Sequence, residues 1–167
     1  MKISVIGYSG AGKSTLAKTL GQKYKCPVLY LDSIHWLPGW KEQDRQKERE
    51  IAEKFMENSS WVIDGNYSSI LSGRRMEEAD KIIFLNFSRG ICLYQALRRY
   101  AAFRGKTRDS IAEGCPEKFD WEFFCWILGK GRTKDRKQWY REIKEAYPEK
   151  IRICKNRRQV KKFLETL

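Results

Sequence analysis

No stretch of this chain reaches the ~18 consecutive apolar residues that a helix needs to cross a bilayer, and the first residues run directly into a strand pattern without a secretory leader. A cytoplasmic protein with no membrane partner is expected. Cysteine gives no framework: Cys26, Cys92, Cys115, Cys125 and Cys154 are odd in number, scattered, and nowhere arranged as C-x-x-C, so reduced thiols are expected. Histidine is nearly absent. His35, the single copy, has no ligand spacing with Cys115 and Cys125 that favours zinc, and no structural metal is expected. Internal repeats, low-complexity tracts and linkers are also missing. The 167 residues are enough for one compact domain with a substantial core around one sheet, and residues 1–167 are read as that single domain.

What the chain has in excess is positive charge. Its 34 Lys and Arg against 21 Asp and Glu give a net +13, which draws polyanions such as nucleotides, nucleic acid or acidic surfaces without choosing among them. No helix-turn-helix, zinc-finger or RNA-recognition signature accompanies the charge. A DNA binder needs a contiguous basic face or a groove-entering element, whereas a phosphate-transferring enzyme needs arginines around a triphosphate. Most of the charge is read as solvated surface.

The stretch Gly7-Tyr8-Ser9-Gly10-Ala11-Gly12-Lys13-Ser14-Thr15 matches G-x-x-x-x-G-K-[S/T] at every fixed position. Glycines let the backbone fold closely around an anion, and successive N–H groups then converge on a phosphate at a helix N-terminus. The flanks agree with that use. Lys2-Ile3-Ser4-Val5-Ile6 reads as a buried parallel strand, and Leu16, Ala17 and Leu20 open a helix pattern behind the loop. Gly7, Ser9, Gly10, Ala11, Gly12, Lys13, Ser14 and Thr15 are therefore assigned to ATP, with Lys13 following the γ-phosphate and the Ser14 hydroxyl ligating Mg²⁺.

Two further segments stand just past strand patterns. Val28-Leu29-Tyr30-Leu31 ends at Asp32, followed by His35, Trp36 and Trp40; Trp61-Val62-Ile63-Asp64 ends at Gly65-Asn66-Tyr67. In open α/β sheets ligands bind at the carboxyl ends of strands. Asp32 is read as orienting or deprotonating an acceptor hydroxyl, or holding a metal-bound water, and Asp64 as holding water in the Mg²⁺ shell. Gly65 would let the backbone approach a substrate, and Asn66, Tyr67, His35 and Trp36 are acceptor-site candidates. Arg74 and Arg75 could meet an acceptor phosphate or sit at a solvated helix end.

Between these segments, a helix from Lys41 to about Asn58 is wholly polar in its first half, so residues of about 33–60 are read as a projecting acceptor flap. Strands are expected at Lys81–Leu85 and Ile151–Cys154. A helix from about Arg89 to Phe103 is expected to bury Ile91, Tyr94, Leu97 and Ala101, leaving Arg98 and Arg99 off that stripe. Residues of about 104–136 carry two basic clusters around the aromatic run Phe119 to Leu128 and are read as a lid. Its closure would bring arginines, with Arg104, Arg132 and Arg136 as the candidates, onto the transferring phosphate and exclude water. The aromatic run itself is read as core or a subunit contact, and Arg157 as flanking the adenine.

Five strands alternating with helices, a phosphate loop after the first and Asp64-Gly65 after the third resemble the adenylate-kinase-type kinases. Those enzymes usually read Asp-Gly-Phe-Pro-Arg where this chain has Asp64-Gly65-Asn66-Tyr67-Ser68, without the arginine. A closer resemblance runs through Leu31-Asp32-Ser33-Ile34-His35-Trp36 with Pro38-Gly39-Trp40, Val62 to Tyr67, and Glu113-Gly114-Cys115-Pro116-Glu117-Lys118-Phe119-Asp120. These look like the group named DNA topology modulation protein, or adenylate-kinase-related kinase. The resemblance spans nearly the whole chain and implies a kinase-like fold and ATP binding.

The expectation is an α/β, three-layer P-loop fold with a five-stranded parallel sheet in order 2-3-1-4-5, plus flap and lid, acting as a monomer or homodimer. It would transfer the ATP γ-phosphate to a small acceptor: a nucleotide, a nucleoside or another small hydroxyl compound. The competing reading is an ATP-modulated nucleic-acid-binding protein affecting DNA topology, in which the +13 charge grips a phosphate backbone. A weak ATPase that binds a protein partner through its aromatic surface is a third.

Overall fold

A computed structural model describes residues 1–166. In chain order the elements are β1 (Lys2–Gly7), α1 (Lys13–Tyr24), β2 (Val28–Tyr30), α2 (Leu31–His35), β3 (Trp36–Leu37), β4 (Lys41–Glu42), α3 (Arg45–Met56), β5 (Trp61–Asp64) and α4 (Ser72–Glu78). They continue with β6 (Lys81–Leu85), α5 (Arg89–Phe103), α6 (Trp121–Leu128), a 3₁₀ turn at Lys130–Arg132, α7 (Lys134–Ala146), β7 (Ile151–Cys154) and α8 (Arg157–Glu165). The main sheet has five parallel strands in the order β2-β5-β1-β6-β7. Counting only these strands, that is the expected 2-3-1-4-5. The antiparallel hairpin β3–β4 was not expected, and it adds two short strands within the flap.

Continuous apolar runs make these strands, as a sheet covered on both faces requires. Ile3, Val5, Ile6, Val62, Ile63, Ile82 and Ile83 are all fully buried. The register fixes the working edge. Val5 pairs with Asp64 and Tyr30 pairs with Asp64 on the other side, so β1, β2 and β5 finish together. The chain then leaves them as the glycine loop, as Leu31-Asp32 and as Asp64-Gly65, all on one end of the sheet.

Gly65 has φ +141°, and a Cβ there would lie 2.8 Å from the Leu31 Cβ. Its small size thus lets the loops after β2 and β5 meet at Leu31. Arg75 fixes the same loop from beneath. Fully buried, it donates to the carbonyls of Gly65 at 3.2 Å, Tyr67 at 2.6 Å and Ile70 at 2.7 Å. Burial lowers its pKa to about 10, which leaves it charged at neutral pH. Arg74 pairs with Glu53 and Glu78. Both arginines thus serve the scaffold, which corrects the phosphate-binding option.

The apolar stripe expected for α5 is also corrected. Cys92 and Ala96 are the buried positions, while Tyr94 and Leu97 are 62% and 45% exposed. Small side chains at i and i+4 let α5 approach the glycine loop closely. This contact outranks the burial of the larger residues, and it turns Arg99 toward the interior instead of toward solvent. In α6, only Ile127 is buried, and Trp121 is 75% exposed, so the aromatic run is a half-covered layer rather than core.

Candidate active site

The glycine loop is built for close approach. Gly10 has φ +79°, and a Cβ on it would collide with the Cys92 carbonyl of α5. Behind the loop, α1 begins at Gly12 with no side-chain cap. In contrast, Asp44, Ser88, Asp120, Thr133 and Asn156 cap α3, α5, α6, α7 and α8 through side-chain oxygens. An N-terminus whose N–H groups lack an internal acceptor beneath a glycine cradle suits an anion.

Asp64 stands beside the glycine loop. Ser14 Oγ donates to its Oδ2 at 2.7 Å, while Oδ1 is buried without a hydrogen-bond partner. Burial raises its pKa to about 6, against the pull of Lys13, with Asp32 adding to the rise. A buried carboxylate with an unpartnered oxygen beside a hydroxyl fits a hard divalent cation, because the ion would return the favourable field that burial removed. No cluster of three or more His, Cys, Asp or Glu side chains suited to a metal occurs among the described residues. A Mg²⁺ held here would therefore draw its other ligands from phosphate and water.

Past the end of β2, the Tyr67 hydroxyl donates to Asp32 Oδ1 at 2.7 Å. Burial, with the Asp32 charge next, pushes the Tyr67 pKa up, so the phenol stays a donor and fixes the carboxylate's orientation. Asp32 stands in the short helix α2 rather than in a loop. His35 and Trp36 stay within the flap. His35 Nδ1 meets the buried Glu48 Oε1 at 2.6 Å, and its ring lies 4.4 Å from that of Tyr67 and 4.6 Å from that of Trp36.

Several assigned residues are engaged elsewhere. Asn66 clips the start of the glycine loop, accepting from Gly7 N at 3.0 Å and donating to Gly7 O at 2.6 Å, so each end of its amide already has a backbone partner. Arg132 donates to Phe87 O at 2.8 Å and Cys92 Sγ at 3.4 Å and lies 3.6 Å from the centre of the Tyr8 ring. It braces the loop from α5's side, and its Nε is buried without a partner. Arg136 lies over Trp126, whose indole N–H donates to Ser9 Oγ at 3.0 Å, and Arg104 is exposed at the end of α5. Lys13 Nζ reaches Tyr8 O at 3.4 Å. Ala11 is buried and Thr15 exposed. Arg157 donates to Gln95 Oε1, and both groups lie near Gly12.

Sequence reasoning missed an ionic cluster in the lid. Glu117 is buried, and its two oxygens accept from Arg99 Nε at 2.6 Å and Arg108 Nε at 2.5 Å. The signal was present in the row Cys92-Ala96-Arg99, spaced i, i+4, i+7, which marks Arg99 as sharing the buried face.

No family model matches this chain, and no curated protein matches it. Among solved structures, deoxyadenosine kinase from M. mycoides with bound dATP superposes with a TM-score of 0.56 at 14% identity, covering 99% of this chain and 98% of that one. The same enzyme with bound dCTP gives 0.51 at 14% identity, with 99% and 98% covered. At these identities the likeness is one of fold: a three-layer α/β P-loop architecture around a five-stranded parallel sheet. No described helix is long and apolar enough to cross a membrane.

Proposed function

We propose that this chain is a P-loop kinase that transfers the γ-phosphate of ATP to a hydroxyl of a small acceptor. The observation that carries the reading is the alignment of two aspartates at one sheet edge. Asp64 is hydrogen-bonded to Ser14 of the glycine loop, and Asp32 is held by Tyr67 of the loop that follows β5. Glycine-loop N–H groups and Lys13 would hold the triphosphate. Ser14 and Asp64 would hold Mg²⁺, which when bound neutralises phosphate charge.

Asp32 is the proposed base. The acceptor oxygen bonds to the γ-phosphorus as the bond to the β,γ-bridging oxygen breaks; ADP leaves, and the hydroxyl proton passes to Asp32. A fixed carboxylate suits a hydroxyl acceptor better than a phosphate one, which needs cations instead. The motif resemblance to the adenylate-kinase-related group supports the same reading. The remaining arginines of the lid would exclude water during transfer, with Arg104 and Arg136 as its exposed members and Arg157 on the adenine side.

The test is ADP release from Mg-ATP across nucleoside monophosphates, nucleosides, small alcohols and duplex DNA, with Lys13→Ala as the blank. Stimulation by one small hydroxyl compound supports the proposal. Salt-sensitive DNA binding that ATP modulates, with no small-molecule stimulation, would replace it by the nucleic-acid reading.

A further inference from the structure

The lid motif Glu113 to Asp120 has no part in the transfer chemistry above, yet it contains one of the few buried acids of the molecule. Resting on the kinase reading, we propose that Glu117 is a positioning residue. It holds Arg99 and Arg108 side by side by their Nε–H edges, so that their remaining N–H groups bind a phosphoryl oxyanion at the edge of the sheet.

The backbone sets Glu117 before any ligand arrives. Its N–H donates to Lys106 O at 2.9 Å, and residues 104 and 117 form an isolated parallel bridge. The side chain is 2% exposed and meets one guanidinium with each oxygen. Binding by the Nε edge leaves the terminal nitrogens. Arg108 gives one of its own to Ser110 Oγ at 3.0 Å, and among the described residues Arg99 makes no hydrogen bond with either of its terminal nitrogens. Phe123, 5.5 Å from the Arg99 guanidinium, supports that group from one side.

Both arginines stand at the phosphate end of the molecule. Asp109, beside Arg108, pairs with Lys18, one turn beyond Ser14 on α1. Arg99 lies one turn beyond Gln95, whose amide oxygen is 3.5 Å from where a Gly12 Cβ would be. The charges of Asp32 and Arg99 act on each other, as do those of Asp64 and Arg108.

One buried carboxylate serving two half-buried guanidiniums leaves the cluster short of negative charge. Burial and then the Arg108 charge push the Arg99 pKa down, and Glu117 only offsets this. An incoming oxyanion would complete the set, and the paired forks match phosphate geometry. Its source would be the γ-phosphate of ATP or a phosphate carried by the acceptor.

The test is calorimetric titration of the full chain with Mg-ATP, Mg-ADP and inorganic phosphate, for wild type, Glu117→Gln, Glu117→Ala, Arg99→Lys, Arg108→Lys and the Glu117→Gln, Arg99→Lys double variant. If the γ-phosphate is the ligand, the ATP-over-ADP affinity ratio falls about 10-fold or more in each variant, about 1.4 kcal/mol, and Glu117→Gln adds little on top of Arg99→Lys. If an acceptor phosphate is the ligand, that ratio holds and inorganic phosphate binding in the presence of Mg-ADP falls instead. A merely structural Glu117 would weaken ATP and ADP together and leave both readouts unmoved, which overturns the proposal. So does tighter binding in Glu117→Ala, which would make the carboxylate a competitor. Should the Glu117 variants fail to fold, the two lysine variants give the same readouts. The titrations need no turnover, so absence of an active acceptor would count against the kinase reading alone, whereas a wild type that binds neither nucleotide nor phosphate would end both.

Discussion

The Gly39 backbone N–H donates to the Gly114 carbonyl across 3.0 Å, which ties the tip of the flap to the lid. The tie is reinforced nearby. Cys115 Sγ donates to Leu37 O at 3.2 Å, and Lys118 lies 4.9 Å from the centre of the Trp40 ring. Two of the segments that carry the family resemblance are therefore in direct contact, and the parts read as acceptor and phosphate covers meet through their backbones.

Gly114→Ala tests that tie. Gly114 has φ +78°, and its Cβ would lie 2.9 Å from the Pro38 Cβ. Backbone strain and this collision should lower stability by about 1–3 kcal/mol and raise the acceptor KM more than that of ATP. Urea denaturation and steady-state kinetics measure the two effects.

Asp32→Asn should lower kcat by about 10²–10⁴ and leave ATP affinity within about twofold of wild type, since the triphosphate site is not touched. Tyr67→Phe keeps the ring and removes only the hydrogen bond to Asp32, so a smaller loss of about 10-fold is expected. Turnover intact in Asp32→Asn would remove the base assignment and spare the ATP site.

On the proposed reading, Asp64 sets stability against function. Its folded pKa of about 6 lies above the ordinary 3.8, so between those values the folded protein binds more protons than the unfolded chain, and stability falls as pH rises through that window. Asp64→Asn should therefore stabilise the metal-free protein at pH 7 by up to ~3 kcal/mol, an advantage that fades below about pH 4, while turnover is lost. Thermal unfolding at the two pH values checks it. Mg²⁺ with nucleotide should stabilise wild type and not the variant.

Arg75→Ala should destabilise by about 3–5 kcal/mol, because it empties a buried site and orphans the carbonyls of Gly65, Tyr67 and Ile70. Chemical denaturation gives the value.

Local pattern made much of this legible. The glycine loop, its strand and helix, and the positions of Asp32 and Asp64 follow from spacing and strand ends, and the sheet order agrees with the expectation. What was not legible depends on partners distant in sequence. Asn66 reads as an acceptor-site residue, and its pairing with Gly7, 59 positions away, at both ends of its amide is not visible in the sequence. Arg75 reads as a phosphate partner or a solvated helix end until three carbonyls surround it. The α5 stripe misled because apolar size was weighed above fit: Cys92 and Ala96 are small enough to approach the loop, whereas Tyr94 and Leu97 are not.

The most direct measurement is the fate of labelled γ-phosphate from Mg-ATP in the presence of the acceptor that best stimulates ADP release. The account predicts label covalently on the acceptor in amounts equal to ADP formed, lost in Lys13→Ala and nearly lost in Asp32→Asn. Label appearing only as inorganic phosphate, unaffected by Asp32→Asn, would contradict it and leave an ATPase in its place.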